Sequence, residues 1–86
     1  MDDKVKNANN RLKILYLYKI FLDKTDEQHY LTMSDIVNQL KLYGISAGRK
    51  ALYEDIEALK AYGLDIITIK GRVSAYYVAS RDFELP

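Results

Sequence analysis

The chain contains no cysteine, which excludes disulfides, thiol catalysis and cysteine-based zinc sites. That absence fits a reducing cytoplasm. Histidine is nearly as scarce. His29 stands alone in a polar segment, and with no second imidazole or thiol to join it, neither a metal site nor a catalytic base is expected there. A glycine-rich phosphate loop is also lacking. Asp55 and Glu57 lie two apart on a predicted helix and point away from each other, so they do not form a catalytic carboxylate pair. The sequence therefore predicts no enzyme, no metal and no cofactor.

Also missing is an excess of charge of one sign. Thirteen basic residues against twelve acidic ones leave a net charge of +1, and the balance is nearly even in residues 1–30, 31–63 and 64–86 alike. A nucleic-acid-binding chain is expected to show a basic footprint, so such a role depends here on where the charges sit. The longest apolar-rich run, Leu12 to Leu22, contains Lys13 and Lys19 and is too short to span a bilayer. Met1-Asp2-Asp3-Lys4 and the polar residues through Asn10 do not resemble a signal peptide. The expected location is cytoplasmic, at the nucleoid if the chain binds DNA, with no membrane partner.

What is present suffices for one small domain. Eighty-six residues bury roughly 60–65 % of their unfolded surface. A hydrophobic fraction of 49 % supplies a core and argues against intrinsic disorder. Residues 1–9 read as a flexible lead, 10–80 as the domain and 81–86 as the start of a linker to a missing C-terminal sensor domain. Helix 1 is expected after Asn9-Asn10, good capping residues, and runs to about Lys24. A polar connector, Thr25 to Tyr30, follows. Thr32 with Asp35 three residues later forms a variant of the capping box that opens helix 2, which ends near Tyr43 at Gly44. Ser46 is the expected cap of helix 3, which runs to Tyr62 and stops at Gly63. Two β-branched and aromatic runs, Asp65 to Lys70 and Ala75 to Ala79, flank Gly71-Arg72-Val73-Ser74 as a hairpin.

Helices 2 and 3 joined by a short glycine-containing turn match the helix-turn-helix signature. With the hairpin behind them, the expected fold is α+β, a winged helix-turn-helix of three helices followed by a two-stranded antiparallel β-hairpin wing. At about 100° per residue, Leu52, Ile56 and Leu59 form the buried stripe of helix 3, with Asp55 at its edge as a structural acceptor for some nearby donor. The outward half nearer the N-terminus carries Ser46, Ala47, Arg49, Lys50 and Tyr53. In helix-turn-helix docking that half meets base edges, and the helix N-terminus favours phosphate. Arg49 suits a guanine edge or a phosphate, Lys50 either one less directionally, and Tyr53 a phosphate or a thymine methyl. Thr32 and Ser34 at the start of helix 2 complete the DNA-facing candidates, with Lys70 and Arg72 at the wing tip reaching a minor groove or phosphate. The plain alternative for Lys50 is a solvated i,i+4 pair with Glu54.

At Leu52-Tyr53-Glu54-Asp55-Ile56-Glu57-Ala58-Leu59 followed by Tyr62-Gly63-Leu64-Asp65-Ile66, the chain resembles the N-terminal winged-helix domain of the WYL-domain-containing transcriptional regulators of low-GC Gram-positive bacteria. Arg11 to Leu17, Tyr76-Tyr77-Val78 and Phe83-Glu84-Leu85 match as well, so the resemblance covers about residues 10–86. It implies sequence-specific binding of double-stranded DNA through Arg49, Lys50, Tyr53 and the tip from Lys70 to Arg72, and a role in transcription regulation. It also implies a homodimer in the full-length regulator and a C-terminal ligand-sensing WYL domain in longer relatives. Glu54 departs from the pattern, standing where many members carry arginine.

Helix 1 is apolar over roughly 220°, wider than the ~100° stripe that one core requires. Either it is packed on several sides, or Leu17 and Phe21 form a dimer or interdomain interface. The rival to DNA binding is accordingly a winged-helix protein-interaction or dimerisation module, favoured by the near-neutral charge and by Glu54 and Glu57 on the outward face.

Overall fold

The computed structural model describes residues 3–79, with side chains from Arg11 onward. The element order is α1 (Asp3–Lys24), β1 (Leu31–Thr32), α2 (Met33–Leu42), α3 (Arg49–Tyr62), β2 (Ile66–Ile69) and β3 (Ala75–Val78). Three helices pack against one antiparallel sheet of strand order β1-β3-β2. The fold is α+β as expected, but the sheet has three strands rather than two. β1 escapes a sequence reading because two residues are too few to show a period-2 pattern.

Helix α1 starts at Asp3, earlier than expected, and Asn9 and Asn10 lie inside it. No glycine or proline occurs between Asp3 and Lys24 to delay its start. Residues 80–86, where the expected linker falls, lie outside the described residues, as do Met1 and Asp2. Lys13, Leu17, Ile20 and Phe21 recur at helical spacing and turn inward. Leu17 and Phe21 are both 0 % exposed, which removes them as an interface: they are the centre of the core, and helix α1 is packed on several sides. Asp55 was expected to accept from a nearby donor; what stands beside it is Lys13, as an ion-pair partner. Its Nζ lies 3.0 Å from the Asp55 carboxylate, an ionic contact out of hydrogen-bond alignment, since that oxygen has no hydrogen-bond partner.

Helix α2 opens as expected. Thr32 Oγ1 accepts from the Asp35 N–H at 3.1 Å while the Asp35 carboxylate accepts from the Thr32 N–H at 3.0 Å. It closes in a Schellman arrangement: Gly44, at φ +77°, donates to the Lys41 carbonyl and Ile45 to the Leu40 carbonyl. Leu40 and Ile45 are both buried, the apolar contact that usually accompanies this closure. Ile45 is buried and residues 45–48 belong to no helix or strand; α3 begins at Arg49 with the extended Gly48 as its N-cap, not at Ser46. At the far end Gly63 and Leu64 repeat the Schellman bonds to Lys60 and Leu59.

The buried stripe of α3 is Leu52, Ile56 and Leu59, as the periodicity requires. In the central strand, Tyr76 and Val78 face the core while Tyr77 lies on the other face against the Tyr30 ring, centroids 5.1 Å apart. Thr25 joins sheet to helix. Its hydroxyl donates to the Phe21 carbonyl at 2.7 Å and accepts from the Val78 N–H at 3.0 Å.

Candidate nucleic-acid interface

The sheet register brings two of the candidate segments together. Thr32 pairs with Ala75 and Ala75 with Ile69, so the cap of α2 stands in the same row of the sheet as both ends of the 70–74 loop. Adjacent strands are ~4.8 Å apart, which places the start of α2 about 5 Å from the Ala75 root of that loop and about 10 Å from the Ile69 root. Lys70 and Arg72 are exposed in the loop, and so is Val73 between β2 and β3. Thr32 is half-buried, with its hydroxyl engaged in the capping box.

A single side-chain bond ties the third segment to this row. Arg49, the first residue of α3, donates from its guanidinium to Ser34 Oγ at 3.0 Å. The positive ends of α2 and α3 are therefore neighbours, with Ser34 and Arg49 both exposed. Ser46 is exposed and Ala47 half-buried against the core. Both precede α3, in the connection from α2, rather than riding on the helix itself.

The electrostatics of the α3 terminus are unusual. Gly48 supplies no side-chain cap, and the first turn holds no acidic residue. Helix N-termini carry unsatisfied N–H groups and about half a positive charge, and ordinarily attract Asp or Glu. Here Arg49 and Lys50 add two cations instead. Among the described residues Lys50 makes no ion pair; the i,i+4 pairing with Glu54 is not formed, while Glu57 is taken by Lys60 at 3.3 Å. An anion with several acceptor oxygens would satisfy this end of the helix.

Tyr53 lies one turn further along, 49 % exposed. Burial pushes the Tyr76 hydroxyl above its ordinary value, and the neighbouring Tyr53 hydroxyl pushes it in the same direction. About half of the Tyr53 surface is left for contact. Beyond it the exposed carboxylates of Glu54 and Glu57 bound the basic surface.

Two features have no sequence signal. The Arg49–Ser34 bond spans fifteen positions, and Val73 reads as ordinary hairpin content until its 63 % exposure at the loop is seen. His29 belongs elsewhere: its Nδ1 lies 2.8 Å from Asp26 Oδ1 within the turn before β1. The Gln28 N–H first, and His29 second, hold the Asp26 carboxyl below its ordinary value. No protein-family model, curated protein or solved structure matches this chain. Among the described residues, no helix is long and apolar enough to cross a membrane.

Proposed function

We propose that this chain is a winged helix that binds double-stranded DNA, as the DNA-binding domain of a transcription regulator of the WYL-domain class. The observation that carries the proposal is the uncapped N-terminus of α3, loaded with Arg49 and Lys50 and tied through Ser34 to the start of α2. Two adjacent positive helix ends favour phosphate oxygens. With the backbone held there, α3 enters the major groove by its first turns only, Arg49 and Lys50 reaching base edges and Tyr53 the groove wall. Glu54 and Glu57 keep the rest of the helix out. Lys70 and Arg72 reach the adjacent phosphates or minor groove, and Val73 between them and the strand offers an apolar surface to sugars.

A lone domain with so few cations binds weakly. In a full-length homodimer two copies would read half-sites about one helical turn apart. The competing reading, a protein-interaction module, retains the exposed Leu12 and Leu15 of α1 but loses Leu17 and Phe21 to the core.

Anisotropy titration of a labelled random duplex at about 50 and 200 mM salt separates the two, because phosphate contacts make affinity fall steeply with salt. Salt-sensitive binding supports the DNA reading. No binding at the lower salt, together with self-association, overturns it.

A further inference from the structure

The strand order β1-β3-β2 leaves β2 at an edge of the sheet. Which of its backbone groups turn outward follows from the ladder. The Ala79 N–H donates to the Asp65 carbonyl at 2.9 Å, and the Val78 N–H turns the other way, to Thr25. In an antiparallel pair the backbone groups that face the partner strand recur at every second residue. Those of Asp65, Ile67 and Ile69 therefore face β3, and those of Ile66, Thr68 and Lys70 face the open side. The Ile66 N–H is taken there by the Leu64 carbonyl at 2.9 Å. The Ile66 carbonyl, both groups of Thr68 and the Lys70 N–H have no hydrogen-bond partner among the described residues.

The strand itself does not guard this edge. Sheet edges are ordinarily protected by proline, a bulge or a charged residue within the strand. β2 reads Ile-Ile-Thr-Ile and pairs with β3 at four successive residues without a bulge. Charge stands only at its two ends, the exposed Asp65 before it and the exposed Lys70 and Arg72 after it. We propose that this edge is an interface on which a second copy of the chain pairs antiparallel, β2 against β2, with the two-fold axis at Thr68.

The free groups are self-complementary in that register. Thr68 is the one strand residue with both groups free, which sets the axis there. Each Thr68 N–H donates to the Thr68 carbonyl of the other copy, and each Lys70 N–H donates to the Ile66 carbonyl opposite. Ile67 then stands across from Ile69 of the other copy, a pair of the kind whose side chains come closest. Both lie on the face that carries Tyr77. Charge selects the direction. Antiparallel pairing brings the Asp65 end of one copy to the Lys70 and Arg72 end of the other, whereas parallel pairing would set like charges together. One strand against one strand is a small contact, so association is weak and grows with concentration. It requires no DNA.

The test is sedimentation equilibrium over a concentration series, without DNA, on the full chain and on Thr68→Pro. Proline removes an N–H that β3 does not use, so the sheet within one copy keeps its ladder. The wild type should pass from monomer toward dimer as concentration rises. Thr68→Pro should stay monomeric with an unchanged circular dichroism spectrum. If the proline variant fails to fold, Asp65→Lys decides: it sets like charges together at both ends of the pairing and should weaken the dimer several-fold. In a mixture of labelled and unlabelled wild-type chains, isotope-filtered NMR should show Ile67 in contact with Ile69 of the other copy. A wild type that stays monomeric throughout overturns the proposal. So does a dimer that lacks the Ile67–Ile69 contact, or one that a folded Thr68→Pro or Asp65→Lys leaves at full strength.

Discussion

Arg49 and Ser34, on different helices, share a hydrogen bond of 3.0 Å with both residues at the surface. An exposed bond of this kind contributes little to stability, but it fixes where a long, rotamer-rich side chain points. If Arg49 contacts DNA, Arg49→Ala lowers affinity for a cognate duplex by about 1–3 kcal/mol and relaxes specificity at one base pair. Ser34→Ala costs less, since it removes only the orientation. The double variant then matches Arg49→Ala alone, because residues acting through one contact are not additive. Anisotropy titrations of the four proteins close the cycle, and full additivity of the two losses would show that Ser34 does not act through Arg49.

Lys70 works differently in this scheme. It stands on the loop that the Thr32–Ala75–Ile69 row holds beside α2, a position for phosphate rather than for a base edge. Lys70→Ala is expected to weaken binding equally on all sequences and to lower the salt slope by about one. A loss confined to one sequence, with the slope intact, would assign the residue to base contact instead.

Much of this was legible in the sequence because local signals and burial agreed. Thr32 with Asp35 and the Gly44 and Gly63 stops each have a local cause, as does the Leu52–Ile56–Leu59 stripe, and each stands where its spacing places it. Ser46 fails as a cap for a non-local reason: the closure at Gly44 is followed by the burial of Ile45 in the core, and the helix starts only after Gly48. Leu17 and Phe21 were ambiguous because a helix apolar on a wide arc does not reveal which part of the arc the sheet and other helices cover. The candidate residues were nameable one by one, whereas their adjacency depends on β1 and on the Arg49–Ser34 bond, neither of which has a local signature.

Thr25 tests how the sheet is held to α1. The hydroxyl is buried, and it accepts the N–H of Val78 at 3.0 Å. Thr25→Val preserves volume but leaves that N–H without this acceptor, a cost of about 1–3 kcal/mol. Thr25→Ser retains the hydroxyl and should lose much less. Urea unfolding of the two variants measures the difference; equal losses would mean that packing of the methyl, not the hydrogen bond, is what matters.

Lys13 and Asp55 bridge α1 and α3 with side chains 11 % and 20 % exposed. Removing one member strands the other charge at low exposure, so Asp55→Leu and Lys13→Met should each destabilise by about 3 kcal/mol. The double variant Lys13→Met/Asp55→Leu replaces both charges with apolar groups and should recover most of that loss. Chemical denaturation of the three proteins gives the coupling. A double variant as unstable as the sum of both singles would mean that the two residues act independently.

Gly48 separates the demands of folding from those of binding. It caps α3 at φ −89°, ψ 157°, a conformation open to any residue, and an added Cβ there meets nothing within 4 Å. Gly48→Asp therefore brings the missing side-chain cap and a negative charge at the positive end of the helix beside Arg49 and Lys50. Both effects stabilise, together by about 0.5–1 kcal/mol. The same carboxylate takes the position that a phosphate would occupy, so DNA affinity should fall as the melting temperature rises. Thermal unfolding and anisotropy on the same samples read the two directions. A variant that gains stability and keeps full affinity for DNA would mean that the end of α3 receives no phosphate.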